Sequence, residues 1–264
     1  MTTVDFVGIG AQKCATTWLF RQLSRHPQVA FPAGKETHYW DRAPRPDADG
    51  WLRLLHTPTR TTDDGRRLAV GEITPAYAIL PTESIKAIRL RCPEIRLFIS
   101  LRNPIERAWS AALMALARSY MAPQEASDQW FLDHFRSSAS RSRGDYASCI
   151  ERWWSEFPRE QLLIILTEDI AARPGAVLAG LAAHLAIDEA DFLRIPEAEL
   201  REIVRPALGP AAASLAPEPL RPSLAAPLVD MYAGSIARLA CLVDRDLSHW
   251  LQSPHATQGT FAGS

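Results

Sequence analysis

Cysteine is sparse. The 264 residues hold four, Cys14, Cys92, Cys149 and Cys241, with no C-x-x-C pair and no histidine at metal-ligand spacing. That pattern excludes a disulfide framework and a zinc site as organising elements and fits a reducing, cytoplasmic compartment. Excess charge of either sign is also missing: 29 Lys and Arg stand against 30 Asp and Glu, a formal net charge of −1. No global basic field therefore draws the chain to nucleic acid or an anionic membrane, and any anion site must be local. Long hydrophobic runs are absent too. The most apolar late stretch, Ala176 to Ile187, is interrupted by His184 and falls short of the ~20 residues a membrane span needs. The first residues lack the basic and apolar regions of a signal peptide, with Asp5 where such a peptide is apolar. The expectation is a cytoplasmic protein without a membrane span.

What is present is an ordinary globular composition, 47% hydrophobic and 22% charged, at a length suited to one large domain. That domain is expected over residues 1–252, with 253–264 as a frayed, disordered tail. Phe6-Val7-Gly8-Ile9 reads as a strand, then a loop through Lys13, then a helix marked by Trp18, Leu19 and Leu23. Val29 to Pro32 is a second apolar run. Ala69 to Ile73 predicts a strand, and Thr82 caps a predicted helix to Arg91. Ile95 to Leu101 is nearly all apolar, a buried strand, and Asn103-Pro104 supplies an N-cap with Pro in the first helical position for a helix to about Arg118. Residues 119–144 are polar and carry no clear signal. Asp145 to Phe157 is helical by pattern, Leu162 to Leu166 is a buried strand, and Pro174 to Leu185 is a helix. Leu208 to Pro227 is rich in Pro and Ala, and a last amphipathic helix is expected over Leu228 to Leu251. Strands alternating with helices imply an α/β fold with a parallel sheet.

Such sheets bind ligands at the carboxyl ends of their strands. Gly8-Ile9-Gly10-Ala11-Gln12-Lys13-Cys14-Ala15-Thr16-Thr17 occupies that position after the first strand. Free N–H groups at a helix start, two hydroxyls and a lysine suit a phosphate. The run is not the G-x-x-x-x-G-K-[ST] loop, because Lys13 precedes Thr16 by three residues. The bland alternative is a plain strand-to-helix turn with a solvated lysine. Arg102 and Ser110, two turns apart around the start of the next helix, form a second basic site if a ligand rests there, with Arg107 as a spare cation. Their alternative is an Arg paired with a carboxylate and a Ser facing solvent. Cys14 reads as a small loop residue rather than a nucleophile, and Trp153 and Trp154 as core and rim of one helix.

Four ordered segments, Lys13-Cys14-Ala15-Thr16-Thr17-Trp18-Leu19, Lys35-Glu36-Thr37-His38-Tyr39-Trp40, Gly71-Glu72-Ile73-Thr74-Pro75-Ala76-Tyr77 and Leu101-Arg102-Asn103-Pro104-Ile105-Glu106-Arg107-Ala108-Trp109-Ser110, together resemble the family of sulfotransferases that use 3′-phosphoadenosine 5′-phosphosulfate (PAPS). The nearest branch is the heparan sulfate sulfotransferases and their soluble bacterial relatives. The resemblance implies a single-domain, P-loop NTPase-like parallel sheet flanked by helices. It implies sulfonate transfer from PAPS to a carbohydrate or small-molecule hydroxyl, releasing PAP, with no metal. By the same resemblance, Lys13, Cys14, Ala15, Thr16, Thr17 and Trp18 hold the 5′-phosphosulfate, with Lys13 also reaching the bridging oxygen. Arg102 and Ser110 hold the 3′-phosphate. Glu36 takes the proton of the acceptor hydroxyl, with His38 as reserve base and Asp41 following. A general base is what an alcohol needs near neutral pH, and partial burial beside Tyr39 and Trp40 is expected to raise the pKa of Glu36.

Three positions depart from the family. Ala15 stands where relatives usually have Gly, so the loop must accept a Cβ. Ile73 stands where the heparan branch has a lysine. The C-terminal Lys-Gly-Arg nucleotide loop has no copy, with Arg201 or Arg205 as substitutes. Two other functions remain in play: a P-loop kinase or NTPase, with Glu168-Asp169 after a buried strand as an Mg²⁺ pair, and a catalytically silent nucleotide-binding relative. The sequence leaves the oligomeric state unread.

Overall fold

The computed structural model describes residues 4–43, 46–202 and 218–252. The expected tail at 253–264 and Arg205 lie outside the described residues. In order, the principal elements are β1 (Phe6–Gly10), α1 (Thr16–Ser24), β2 (Val29–Ala30), α2 (Tyr39–Arg42), α3 (Ala48–Leu54), β3 (Ala69–Ile73), α4 (Thr82–Arg91), β4 (Arg96–Leu101), α5 (Pro104–Arg118), α6 (Asp128–Arg136), α7 (Ser138–Gly144), α8 (Tyr146–Trp154), β5 (Leu162–Leu166), α9 (Thr167–Ala172) and α10 (Pro174–Leu185), followed by a long helix at Pro222–Val243. They fall into two compact units. One runs through Leu101 and resumes at Cys149; the other comprises Arg102–Ser148 and the described residues from Glu218 onward.

The first unit carries a five-stranded sheet in the order β2-β3-β1-β4-β5, every pair parallel. β1 is central and wholly buried, as is β4 apart from Arg96. This is the near-continuous apolar pattern expected of strands covered on both faces. Close packing excludes a side chain at Gly8, where a Cβ would come within 2.6 Å of the Phe98 ring. α1 and α10 close over the sheet through Trp18, Leu19, Leu23, Leu178, Leu181 and Leu185, all packed with Phe6 and Phe98. Each such side chain contributes roughly 1.5–3 kcal/mol by leaving water. A second buried group gathers Trp40 edge-on to Trp51, 5.8 Å between centroids, and Trp153, whose indole N–H donates to the Tyr77 carbonyl at 3.3 Å. Trp154 is only partly buried beneath the Arg159 guanidinium, so the pair is core and rim of one helix as expected. β5 is less deeply buried than its sequence implies, since Leu163 and Ile164 are only partly buried.

The second unit is helical. Asn103 caps α5 by accepting from the Ile105 N–H at 3.0 Å, with Pro104 at the first position. The unassigned stretch 119–144 holds α6 and α7, capped by Ser127 and Ser137, whose hydroxyls each accept a backbone N–H at 3.2 Å. Trp109 packs against Phe131 with the rings tilted and their centroids 4.8 Å apart. Arg221 lies over the same ring at 4.7 Å and donates to Asp128 at 2.5 Å. Pro222–Val243 starts earlier than its Pro-rich sequence implies, because Pro222 occupies a first-turn position where no N–H is needed, while Pro227 is accommodated inside the helix. By length and composition this helix is long and apolar enough to cross a membrane. Its Leu224, Leu228, Tyr232, Ile236 and Leu239 recur at helical spacing and are buried, and it packs on α5 and α6.

Candidate active site

β1 ends in a glycine that nothing else can replace: Gly10 has φ 153°, and a Cβ there would stand 2.9 Å from the Ala78 Cβ and 3.0 Å from the Pro75 carbonyl oxygen. The loop that follows is tied to β4. The Ala11 N–H donates to the Ser100 carbonyl at 2.8 Å, and the Ser100 hydroxyl donates to the Cys14 carbonyl. Lys13 and Ala15 then adopt left-handed backbone, φ 68° and 58°, at alternate positions. Ala15 is the N-cap residue of α1 and has no side-chain cap to give. The first helical bond runs from the Leu19 N–H to the Ala15 carbonyl at 3.1 Å, so the N–H groups of Thr16, Thr17 and Trp18 precede the helical ladder. With the positive end of the helix dipole they form the kind of anion cradle that backbone amides build.

The side chains divide by exposure. Lys13 and Thr17 are half-buried and Thr16 is buried. Cys14 is fully buried, its thiol 3.5 Å from the Gln12 carbonyl oxygen, which is the structural role expected. Trp18 is committed to the core, with its indole N–H donating to the Leu200 carbonyl at 2.8 Å. Toward a ligand it offers its backbone N–H.

Segment 35–41 lies at the same carboxyl edge of the sheet. The Glu36 N–H donates to the Ile73 carbonyl at 3.0 Å, and Ile73 is in register with Gly8 of β1. Glu36 and His38 are both left-handed, φ 63° and 53°. The Glu36 carboxylate pairs with the Lys35 ammonium through Oε1 and stands 3.4 Å from His38 Nε2 through Oε2. His38 Nδ1 lies 2.9 Å from the Asp41 carboxylate, which as an acceptor selects the tautomer with the proton on Nδ1. Glu36 is partly covered, its side chain 38% exposed. The left-handed backbone turns the carboxylate toward Lys35 and His38, while the Trp40 side chain goes inward to Trp51.

Sequence reasoning missed Glu72 as an organiser. It is fully buried and accepts four hydrogen bonds. Trp51 Nε1 at 2.5 Å and the Tyr77 hydroxyl at 3.1 Å reach Oε1; the hydroxyls of Thr37 at 2.6 Å and Thr74 at 2.7 Å reach Oε2. Burial, and secondarily the neighbouring Glu72 charge, push the Tyr77 phenol well above its usual pKa, so it stays a neutral donor. The signal was a lone carboxylate inside the apolar run Ala69 to Ile73 with hydroxyl residues close by.

In the second unit, Arg102 is paired with Glu106 at 2.7 Å, one helical turn on, and Ser110 is half-buried on α5. Arg107 is not a spare cation. It is fully buried, and its Nη2 donates to the Ser140 carbonyl and hydroxyl, both at 3.1 Å. Its place on the inner face of α5, between Ile105 and Ala108, dictates that burial. Glu168 and Asp169 sit in the first turn of α9. Among the described residues no three His, Cys, Asp or Glu side chains gather as a metal-binding group.

No family model matches the chain. A crystal structure of a sulfotransferase from Alicyclobacillus acidocaldarius superposes with a TM-score of 0.67 at 28% identity, covering 95% of this chain and 99% of that one. Human heparan sulfate glucosamine 3-O-sulfotransferase 6 is 28% identical over 169 residues, 63% of this chain and 47% of that protein. Rat carbohydrate sulfotransferase 15 is 23% identical over 314 residues, 93% of this chain and 54% of that protein. The chain thus spans about half the length of the curated relatives it matches.

Proposed function

We propose, from the premise that its sequence and fold align this chain with the PAPS-dependent sulfotransferase family, that it moves a sulfonate group from PAPS to the hydroxyl of a carbohydrate or a small-molecule alcohol. The observation that carries this reading is the anchoring of Glu36 to Ile73, at the edge where the phosphate loop leaves β1. A loop able to hold an anion and a carboxylate able to take a proton share one border of the sheet.

The amides of Thr16, Thr17 and Trp18, with the Thr hydroxyls, hold the phosphosulfate. Lys13 stabilises the negative charge that develops on the oxygen bridging phosphorus and sulfur as the S–O bond breaks. Glu36 accepts the proton of the attacking hydroxyl as the new O–S bond forms. His38, held by Asp41 with Nε2 toward Glu36, can share the proton that Glu36 takes up. No step in this scheme calls on a metal, so transfer is expected to survive chelators. Ile73 in place of a lysine leaves one cation fewer near the sulfonate, which favours an acceptor less anionic than heparan sulfate.

Incubation with PAPS and a panel of mono- and oligosaccharides and simple alcohols, with mass detection of an added sulfonate, tests the assignment. Glu36→Gln is expected to lower kcat by about 10²–10⁴-fold, the usual share of a general base, with PAP affinity unchanged by calorimetry. A Glu36→Gln enzyme at near wild-type rate refutes the base, and Mg²⁺-dependent ATP turnover without sulfonate transfer refutes the reaction.

A further inference from the structure

Glu72 stands one step behind the carboxylate just described. Its Oε2 accepts from Thr37, the residue between Glu36 and His38. The Thr37 hydroxyl in turn accepts from the Tyr39 N–H at 3.3 Å and lies 3.0 Å from the Tyr77 hydroxyl. Tyr77, donating to Oε1 of the same carboxylate, accepts the N–H groups of Tyr39 at 3.1 Å and Trp40 at 3.3 Å. These two amides open α2, a helix of one turn whose N-cap, His38, gives no side-chain cap. The Tyr77 and Thr37 oxygens do the work a capping side chain would otherwise do. Two left-handed non-glycine residues, Glu36 and His38, flank Thr37, and such conformations persist only where surrounding contacts over-determine them.

We infer that Glu72 is a positioning residue: through Thr37 and Tyr77 it fixes the strained backbone that aims Glu36 and His38. The inference rests on the proposed role of Glu36, and it concerns how that side chain is held rather than what it does. The carboxylate cannot be exchanged for an amide without rearrangement. The Oε1 side faces the Trp51 indole N–H, which can only donate, so a Gln amide nitrogen must take the Oε2 side. There the Thr37 and Thr74 hydroxyls have to reverse from donating to accepting, and the charge-assisted anchor of the 35–41 segment gives way to weaker neutral hydrogen bonds.

Two variants test this. Glu72→Gln removes the charge of the anchor and reverses two of its hydrogen bonds. Thr37→Val removes one hydroxyl at a half-exposed position and serves if the buried change prevents folding. The first readout is the imidazole carbon-bound proton signal of His38 by NMR, identified by its loss in His38→Gln. Both variants are expected to shift it. The second is kinetic: kcat is expected to fall about ten- to a hundredfold, as small misplacement of a reacting group does, with PAP affinity and the KM for PAPS unchanged. In the Glu36→Ala background neither variant should lower kcat further, because a residue acting through Glu36 is non-additive with it. An unmoved His38 signal overturns the inference, and so do losses that add to that of Glu36→Ala. A moved signal in an enzyme that keeps full rate as Glu36→Ala upholds the anchor and overturns the base assignment instead.

Discussion

Ala15 makes a quantitative demand on the loop. Its φ of 58° and ψ of 17° put a Cβ in the left-handed region, at a cost of roughly 1–2 kcal/mol for an L-residue. Ala15→Gly relieves that cost. Against the gain stand the greater unfolded-state freedom of glycine, about 0.4–1 kcal/mol, and the partial contact of the Ala15 methyl with the core, some fraction of the ~0.8 kcal/mol that a buried methyl carries. The terms nearly cancel, so Ala15→Gly is expected to change stability by less than about 1 kcal/mol. Ala15→Val adds a β-branch where such residues are outliers, and a cost of about 2–3 kcal/mol follows. Urea unfolding with unchanged slopes measures both, and calorimetry with PAP measures the loop. The glycine variant should keep its PAP affinity while the valine variant loses about tenfold or more, as the amides of Thr16 and Thr17 swing out of line. A valine variant matching wild type in both measurements would refute the claim that a left-handed residue at position 15 shapes the cradle.

Two further expectations can be measured on the purified protein. Arg102→Ala should weaken PAP markedly but adenosine 5′-phosphosulfate, which lacks the 3′-phosphate, very little; equal losses for both nucleotides would remove the 3′-phosphate role from this guanidinium. His184 is largely buried, its Nε2 2.8 Å from the Leu97 carbonyl oxygen, and burial lowers its pKa. The unfolded chain therefore binds a proton that the native state resists, and stability drops as pH falls below the unfolded value near 6.5. His184→Gln should flatten the decline of the urea midpoint between pH 7 and pH 5, and an unaltered slope would show that this imidazole is not responsible.

The elements legible in the sequence are those with a continuous apolar run or chemically marked ends. β3, β5, α5 and α10 follow from apolar runs and from Asn103-Pro104 and Pro174. α6 and α7 were not legible: the apolar face of α6, Phe131 and Phe135, is a single turn long inside a polar stretch, and α7 is polar, with no large apolar residue. The site divides in the same way. Residue types and their order bring Lys13, Thr16, Thr17, Glu36 and His38 forward. The exposure of Glu36 could not be read, since it depends on left-handed backbone at two residues whose type does not demand it. Glu72 was opaque for the opposite reason: one carboxylate in an apolar strand says that it is satisfied, not by whom. Four partners between Thr37 and Tyr77, brought in from three segments, answer that only in the folded chain.

The tie between Ser100 and the Cys14 carbonyl means that part of what shapes this turn lies outside it, on a neighbouring strand. Substitutions at Ser100, distant in sequence from the turn, should then masquerade as nucleotide-affinity defects, and a survey confined to the turn itself would overlook their source.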